Sequence, residues 1–441
     1  MMGIFDRSAT IAKPGFNRWL VPPAAIAVHM CIGQVYGFSV FNKPLSVELG
    51  VPVSRVNVAY QIALVLLGLS AAVFGKWVEH RGPRKTMLAS CACFCSGLAL
   101  ASLGVHLKQV WLVLFGYGFV GGIGLGLGYI SPVSTLVKWF PDRPGMATGM
   151  AIMGFGGGAL IGSPLAEELM KSFHEANPLS SGAKEALLLL ALLYAVSMIF
   201  GAMIVRIPAP GWKPEHHVAS PREVANAAIR VSVENAWKTP QFWLLWTVLC
   251  MNVSAGIGIL GRAADMSMDM FGVSAAIGAG FTGLLSLFNL GGRFIWSSVS
   301  DYTGRKRVYC IYFVLGAVLY ALLPWTQQTQ NRAFFVVCTA LIISMYGGGF
   351  ATIPAYLRDL FGTYEVGAIH GRLITAWSVA AVIGPSLINQ LYDWRVANHV
   401  PRAQAYNDTF FLMCGLLMIG LVANLLVRPV DPKFYIKDSE A

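Results

Sequence analysis

The sequence predicts an all-α membrane protein with twelve transmembrane helices in two six-helix pseudo-repeats. Its 441 residues are 56% hydrophobic and only 12% charged, whereas soluble domains carry about 25% charged residues. Apolar segments of roughly 20 residues recur along the chain, each long enough to cross a hydrocarbon core of about 30 Å. Backbone polar groups must be paired within lipid, so these segments should be helices. The composition argues against a soluble enzyme and against a disordered protein.

Twelve such segments lie between short clusters of charged residues. The predicted spans are 18–41, 54–77, 86–105, 109–137, 145–169, 186–206, 240–262, 275–299, 308–325, 332–357, 366–391 and 407–428. The first segment is too long for the apolar core of a signal peptide, and no small-residue cleavage site follows it. Because the number of spans is even, both termini should lie on one side of the membrane.

The net charge of +11, from 32 Lys and Arg against 21 Asp and Glu, has two possible explanations. A basic balance can indicate nucleic-acid binding. Here the basic residues concentrate in loops on the side that holds both termini, for example at 81–85 and 305–307, as the positive-inside rule describes. We therefore expect a multi-pass protein of the cytoplasmic membrane with cytoplasmic termini, in contact with lipid and not with nucleic acid.

No pattern in the sequence indicates a metal or a cofactor. Cys91, Cys93 and Cys95 are two residues apart, so they point to different faces of a helix and do not form a metal site or a disulfide framework. The stretch 116–121 matches the dinucleotide fingerprint, but it lies inside the fourth span and not after a strand. We expect no metal site and no cofactor.

The second half of the chain repeats the first at an offset of 222 residues. The matching pairs are Glu79–Asp301, Gly82–Gly304, Arg84–Lys306, Gly126–Gly348, Pro132–Pro354, Gly145–Gly367, Gly149–Gly371 and Gly162–Gly384. This agreement predicts an N-terminal half at 15–206, a linker at 207–239 and a C-terminal half at 240–430. Two parallel halves around a site at the midplane are typical of secondary transporters.

Arg293 lies near the middle of the eighth predicted span, about 12 Å from the turn at Asp301 at 1.5 Å per residue. A central arginine costs roughly 2.5–3.5 kcal/mol on insertion scales, so it should have a partner or a watery cavity. No acidic residue lies near the middle of a predicted span to neutralise it. A guanidinium can hold a carboxylate through two parallel hydrogen bonds, which indicates an anion site. The alternative is a structural arginine bound to backbone carbonyl groups.

One face of the eighth span carries further polar side chains beside this arginine. Thr282, Ser286 and Asn289 are spaced so that they share the face of Arg293. We expect Asn289 to orient the bound anion.

Other candidate residues lie on the first, fourth, tenth and eleventh spans. His29 is near the middle of the first span, where it is either a proton carrier or a histidine that joins two helices. Gln34 and Tyr36 could face a cavity from the same span. Single aromatic residues are either cage residues or packing residues that face lipid, and the candidates are Tyr129, Tyr346, Phe350 and Trp377.

The doubled loop motif resembles the loop signature of the major facilitator superfamily. Residues 75–85 and 300–306 each place an acid, a glycine and basic residues between two spans. In that family the charged residues latch neighbouring helix ends in one conformation; the alternative is a solvated basic turn. The residues to which the resemblance assigns a latch role are Glu79, Arg84, Asp301 and Arg305.

Further motifs are similar to the oxalate:formate antiporter family, whose relatives include the proton-linked monocarboxylate transporters. They are Gly33-Gln34-Val-Tyr36-Gly-Phe-Ser-Val-Phe41, Tyr129-Ile-Ser-Pro132-Val133, Pro210-Gly-Trp212-Lys-Pro214, Lys238-Thr-Pro240-Gln-Phe-Trp243, Gly292-Arg293 and Thr375-Ala-Trp377. The resemblance runs from about residue 15 to residue 430. It implies that Arg293 binds the substrate carboxylate. The residues it implies around the substrate are Gln34, Tyr36, Tyr129, Tyr346 and Phe350.

Two departures from those families bear on the substrate. The oxalate carrier pairs its span 8 arginine with a span 11 lysine, whereas span 11 here has no lysine and places Trp377 or a neighbour there. Monocarboxylate transporters have an aspartate one turn before the arginine, where this chain has Asn289. One buried cation balances one carboxylate, and a second carboxylate would stay uncompensated in a dry site. No second cation is evident in the predicted cavity.

We therefore expect a secondary transporter, and not an enzyme, for a small monocarboxylate such as lactate, pyruvate or formate. Its partners would be this organic anion, a proton or counter-anion, and the lipid bilayer, and it would function as a monomer by alternating access with proton symport. One alternative is an anion exchanger of the oxalate:formate type. Another is a transport-like membrane sensor, although the longest loop, 207–239, is too short for a folded output domain.

Overall fold

A computed structural model describes residues 6–214 and 229–436 and confirms the predicted all-α membrane architecture. Its long helices are α1 (Arg18–Gly37), α2 (Val53–Arg81), α3 (Pro83–His106), α4 (Val110–Trp139), α5 (Pro144–Ala176), α6 (Ala183–Ile204), α7 (Pro240–Phe271), α8 (Ala275–Thr303), α9 (Arg305–Gln328), α10 (Arg332–Phe361), α11 (Val366–Ala397) and α12 (Arg402–Leu426). Eleven of these described helices are long and apolar enough to cross a membrane. The other is α8, a 29-residue helix that packs along α5 and α10. The twelve predicted spans are consistent with this set.

The helices depart from the predicted spans at their ends and in several irregular segments, one of which interrupts α11 at Ile374. Polar residues at the ends extend several helices beyond the apolar stretch, so α5 continues to Ala176. The first span is not one uniform helix, because a 3₁₀ segment at Gln34–Gly37 ends α1 and a separate helix follows at Ser39–Leu49. A π-helical segment at Leu114–Gly121 interrupts α4 where its glycines approach the backbones of α2 and α3.

The two halves of the chain meet in matching ways on the side of the membrane that holds both termini, which we call the terminus side. There α5 packs against α8, and α11 packs against α2. Gly149 on α5 lies against the backbone of Arg293 and Phe294, and Gly371 on α11 lies against that of Ala71. A methyl group added at Gly371 would lie 2.2 Å from the Ala71 carbonyl oxygen. The absence of a side chain therefore permits the close helix approach.

Gly371→Ala is expected to push α11 away from α2 and to destabilise this contact by about 1–3 kcal/mol, the usual cost of overpacking. Thermal unfolding of the purified protein in detergent should show a midpoint lowered by several degrees. Gly415→Ala on α12 is the matched control, because a methyl group there would meet no atom within 4 Å. Equal midpoints for the two variants would contradict the close approach.

The described parts of the predicted linker are fixed by backbone hydrogen bonds on the terminus side. The N–H of Ala12 donates to the carbonyl oxygen of Ile207 at 2.9 Å. Further along, the N–H of Val231 donates to the carbonyl oxygen of Phe361 at 3.2 Å, and one helical turn follows at Val233–Ala236. The middle of the predicted linker, 215–228, lies outside the described residues.

Candidate anion-binding site

Arg293 is fully buried on α8, and both halves of the chain hold its guanidinium. Its Nε donates a hydrogen bond to Oδ1 of Asn289 at 3.1 Å, and its Nη1 donates to the carbonyl oxygen of Ile152 on α5 at 3.2 Å. The guanidinium carbon lies 5.4 Å from the ring centre of Phe350. Its Nη2 is buried without a hydrogen-bond partner. Within residues 6–214 and 229–436 no carboxylate pairs with Arg293, so Nη2 remains available to an anion.

Six aromatic side chains from five helices form one cluster of ring contacts beside the guanidinium, and we call them the cage. The cage consists of Tyr36, Tyr129, Phe155, Tyr346, Phe350 and Trp377, from α1, α4, α5, α10 and α11. Trp377 is central to it, with ring centres 4.6 Å away for Phe350, 5.5 Å for Phe155, 5.7 Å for Tyr129 and 6.2 Å for Tyr36. Tyr346 packs on Phe350 at 5.4 Å. The structure thus brings together the five aromatic residues that the sequence analysis names.

Sequence patterns do not single out two residues that belong to this region, Phe155 and His370. Phe155 is the one large residue among the glycines of 154–158. Its neighbours have no side chains, so this pattern could have indicated that the phenyl ring fills the space beside them. His370 precedes Trp377 by seven residues and so shares its helix face. The ring centre of His370 lies 5.9 Å from that of Tyr129. The sequence signal that could have identified His370 is a histidine within an otherwise apolar span.

The polar atoms of the cage are hydrogen-bond donors. The hydroxyl groups of Tyr36, Tyr129 and Tyr346, the indole nitrogen of Trp377 and Nη2 of Arg293 are buried without a hydrogen bond of ordinary geometry. Buried polar groups normally find partners, and each of these groups can donate to an oxygen acceptor. The cage itself contains no acidic side chain. It therefore suits an anion that accepts several hydrogen bonds, such as a carboxylate.

Gln34 is buried beside Gly162, and its amide nitrogen and oxygen have no hydrogen-bond partner. Its side chain runs past Gly162 of α5, close to the hydroxyl group of Tyr194 on α6. Residues two apart on a helix point to different sides, and Tyr36 occupies the cage side. Gln34 therefore lies among the helices of the first half.

His29 lies beside the cage and joins three helices. Its Nδ1 is 2.6 Å from the carbonyl oxygen of Ala151 on α5, and its Nε2 is 3.0 Å from that of Tyr129 on α4. Its ring stacks on the Tyr129 ring with centres 5.5 Å apart. Both ring nitrogens thus contact the backbone of a neighbouring helix.

A cavity of about 350 Å³, which we call the vestibule, extends from the cage toward the side opposite the termini. Tyr36 and Asn289 form its inner end, and Thr282 and Ser286 line it along the polar face of α8. Its walls come from α1, α2, α5, α7 and α8, so both halves contribute. The vestibule gives the cage a polar route to one side of the membrane.

The vestibule wall also contains Arg262, a cation that helix spacing alone does not place there. Its Nε donates to Oδ1 of Asn389 at 2.8 Å, and its guanidinium stacks 4.7 Å from the ring centre of Tyr392. At 1.5 Å per residue, Arg262 lies about 33 Å from the start of α7 and Arg293 about 15 Å from the end of α8. The two residues therefore lie at different depths, roughly 18 Å apart in helix rise.

Beneath the cage, on the terminus side, Asp301 caps a helix of the other half. Its carboxylate accepts hydrogen bonds from the N–H groups of Gly145 at 2.9 Å and Met146 at 2.8 Å, at the start of α5. Arg305 pairs with the same carboxylate at 2.5 Å, and its Nε lies 3.4 Å from Asp359. The partial positive charge of a helix N-terminus favours a carboxylate in this position.

Glu79 forms the matching cap in the other direction. Its Oε1 accepts hydrogen bonds from the N–H of Gly367, at the start of α11, at 2.9 Å and from the hydroxyl group of Ser134 at 2.6 Å. Its Oε2 pairs with Nζ of Lys138 at 2.5 Å. Arg84, a basic residue of the same loop motif, is also buried. The ion pair of Glu79, however, is with Lys138. The two caps occupy positions that match at the 222-residue offset.

The described helices enclose a central site that adjoins the vestibule, and the two caps join the halves on the terminus side. Helices on all sides, a buried cation and an aromatic cage between the two halves define a multi-pass membrane transporter. The chain belongs to the Major Facilitator Superfamily, whose family model matches residues 24–385 and 268–440. Proteins of this family and fold are transporters and not enzymes.

Curated relatives include carriers of organic anions. The oxalate:formate antiporter of Oxalobacter formigenes is 25% identical over 386 residues, which cover 86% of this chain and 87% of that protein. Apicoplast pyruvate carrier 1 of Toxoplasma gondii is 25% identical, covering 75% of this chain and 68% of the carrier. Monocarboxylate transporter 12 of Rattus norvegicus is 23% identical, covering 78% and 73%.

Solved structures share the fold. The proton:xylose symporter XylE, bound to 6-bromo-6-deoxy-D-glucose, has a TM-score of 0.68 at 14% identity and covers 95% of both chains. A bacterial homologue of the iron transporter ferroportin in an outward-facing state has a TM-score of 0.66 at 15% identity, covering 92% of this chain and 98% of that chain. At this identity the likeness concerns the fold alone.

Proposed function

We propose that this transporter moves a small monocarboxylate, such as lactate, pyruvate or formate, across the cytoplasmic membrane together with a proton. The observation that carries the proposal is the hydrogen bonding of Arg293. Its Nε and Nη1 donate hydrogen bonds, its Nη2 has no partner, and among the described residues no carboxylate pairs with it. Asn289 fixes the guanidinium. The substrate carboxylate would accept hydrogen bonds from Nη2 and from the tyrosine hydroxyl groups, while the aromatic rings cover its apolar part.

The charge of the cage favours a substrate with one negative charge. A bound carboxylate neutralises Arg293, whereas a second carboxylate would stay unpaired in a site closed to water. An anion that crosses together with a proton moves no net charge, so the membrane potential does not oppose its uptake. Charge balance therefore supports symport over the passage of the anion alone.

An anion exchanger of the oxalate:formate type is the second candidate. The relative named oxalate:formate antiporter supports it. Arg262 also lines the vestibule and so places a second guanidinium on the route of the substrate, although Asp265 in the same wall lies 3.9 Å from it. Its distance from Arg293 places that cation outside the cage, so we retain the monocarboxylate as the first candidate.

For the transport cycle, we propose that the halves at 15–206 and 240–430 rock about the cage. The latch residues Glu79, Arg84, Asp301 and Arg305 would hold the terminus side closed until the substrate is bound. The excess of basic residues on that side supports cytoplasmic termini. One chain supplies every side chain of the cage, which supports function as a monomer.

Uptake of labelled lactate, pyruvate, formate and oxalate into proteoliposomes, with and without an inward proton gradient, tests this function. We expect saturable uptake of at least one monocarboxylate, accelerated by the gradient, and little uptake of oxalate. Uptake of oxalate, without uptake of any monocarboxylate, would contradict the proposal that the single cation of the cage selects a substrate with one carboxylate. Monocarboxylate uptake that depends on internal anion and ignores the gradient would assign the exchanger instead.

A further inference from the structure

His370 lies on α11 between the cage and the cap formed by Glu79. It follows Gly367, the residue that Glu79 caps, by three positions and shares the helix face of Trp377. Its side chain is 2% exposed, and its Nε2 has no hydrogen-bond partner. Its ring lies next to that of Tyr129, whose hydroxyl group is also without a partner. An open imidazole nitrogen therefore lies just beneath the substrate site.

The other buried histidine beside the cage, His29, is held differently. Its two ring nitrogens contact the carbonyl oxygens of Ala151 and Tyr129, and these contacts join α1 to α5 and α4. A change in its protonation would disturb a contact between helices. Nε2 of His370 has no such restraint.

We infer that His370 carries the transported proton, an assignment that rests on the proposed proton-coupled transport of a monocarboxylate. A proton enters through the vestibule as hydronium and passes by way of the Tyr129 hydroxyl group and water to His370. The Tyr129 oxygen takes a proton from hydronium as it gives up its own, so the phenol is restored. One O–H bond of hydronium breaks, and one N–H bond forms at Nε2 of His370. When the terminus side opens, the imidazolium gives this proton to water. One proton and one carboxylate cross, and nothing is oxidised or reduced.

The surroundings of His370 make this proton dependent on the substrate. Around this part of α11 lie α2, α4, α7, α10 and the turn at Val233–Ala236. The charged or titratable side chains of these elements and of α11, near its level or toward the terminus side, are Lys76, Glu79, His80, Arg81, Tyr129, Lys138, Glu234, Cys250, Tyr356, Arg358, Asp359, Glu365 and Arg372, with His29 and Arg293 beyond the cage. Glu365 is buried, accepts a hydrogen bond from the N–H of Val233 at 2.8 Å and lies 4.0 Å from Nε2 of His80.

Two of the acidic groups in this set already have cationic partners. Glu79 pairs with Lys138, and Glu234 pairs with Lys76 at 2.9 Å. An imidazolium at position 370 would add a positive charge beneath the cage. A carboxylate bound to Arg293 would offset it, so each ligand would favour the binding of the other.

The test compares two measurements on His370→Gln in proteoliposomes with labelled pyruvate. The first is accumulation driven by an inward proton gradient, followed together with the signal of a pH-sensitive dye trapped inside. The second is pyruvate–pyruvate counterflow, which needs no net proton movement. We expect at least a tenfold loss of accumulation and of the dye signal, with counterflow changed by less than threefold.

His106→Gln, at an exposed position outside the site, is the matched histidine variant and should retain both activities. Gradient-driven accumulation that persists in His370→Gln would overturn the assignment. If counterflow is lost while the melting temperature is unchanged, His370 belongs to substrate binding, and the assignment is again overturned. If the melting temperature falls, the smaller His370→Asn variant is judged by the same two outcomes.

The wild-type protein separates this inference from the proposed function. Counterflow of pyruvate without any proton signal would overturn the role of His370 and leave monocarboxylate transport standing. Transport of none of the monocarboxylates would overturn the proposed function itself.

Discussion

Arg293→Lys is expected to abolish monocarboxylate transport, with kcat/KM reduced at least a hundredfold. Lysine keeps the positive charge, but it loses the fork that donates to Asn289 through Nε, to Ile152 through Nη1 and to the substrate through Nη2. Hydrogen bonds to charged groups contribute about 1.5–3 kcal/mol each, so losing two of them corresponds to a factor of this size. The measurement is initial uptake of labelled pyruvate over a range of concentrations.

Arg262→Lys is the matched control, because Arg262 lies in the wall of the same cavity but outside the cage. It should change kcat/KM by less than threefold. Membrane insertion and melting temperature should be close to wild type in both variants, since each retains one cation. Wild-type uptake by Arg293→Lys would remove Arg293 from the substrate site.

The double substitution Glu79→Gln with Asp301→Asn is expected to shift the protein toward a conformation open on the terminus side. Each substitution removes the charge that caps a helix N-terminus of the other half. Such caps contribute up to about 2 kcal/mol in partly buried sites. Each lost cap should therefore shift the equilibrium between the two conformations by roughly tenfold. Ala351 is a suitable reporter, because it is fully buried where the Thr148 hydroxyl group donates to its carbonyl oxygen across the two halves, at 2.6 Å.

In a background without the eight native cysteines, Ala351→Cys should react with a thiol reagent at least tenfold faster when the two caps are removed. Asp269→Asn is the control for loss of a carboxylate that accepts hydrogen bonds. Asp269 binds the hydroxyl groups of Tyr392 and Tyr406 within the second half alone. Equal labelling rates in the presence and absence of the caps would show that they do not hold the terminus side closed.

The features that the sequence predicts best are local ones. Helix number follows from apolar length, and the isolation of Arg293 follows from the lack of acids at its depth, because both depend on one segment at a time. The cage depends on which helices face each other. Tyr36 and Trp377 lie at opposite ends of the chain, yet their ring centres are 6.2 Å apart. Only a resemblance to a family could group them before the structure was known.

The side chains that escape prediction are those whose role depends on a single rotation about a helix axis. Gln34 belongs to the same motif as Tyr36 but points between α5 and α6, because the two residues are only two positions apart. Lys138 pairs with Glu79 from a different helix, so the loop motif does not indicate this ion pair. Arg262 reaches the vestibule from the end of a helix that extends beyond its apolar stretch.

The two caps also describe how the chain is built. An acid of the first half binds the start of a helix in the second, and the equivalent acid of the second half binds the equivalent helix of the first. Gly371 meets Ala71 in the same way that Gly149 meets Arg293, since 71 and 293 also differ by 222. This reciprocity is that of an isologous twofold dimer, here fused into one polypeptide. The two halves differ at Arg293, because the equivalent residue of the first half is Ala71. In a dimer of identical chains both copies would carry this arginine, whereas in a fused chain one half alone can carry it.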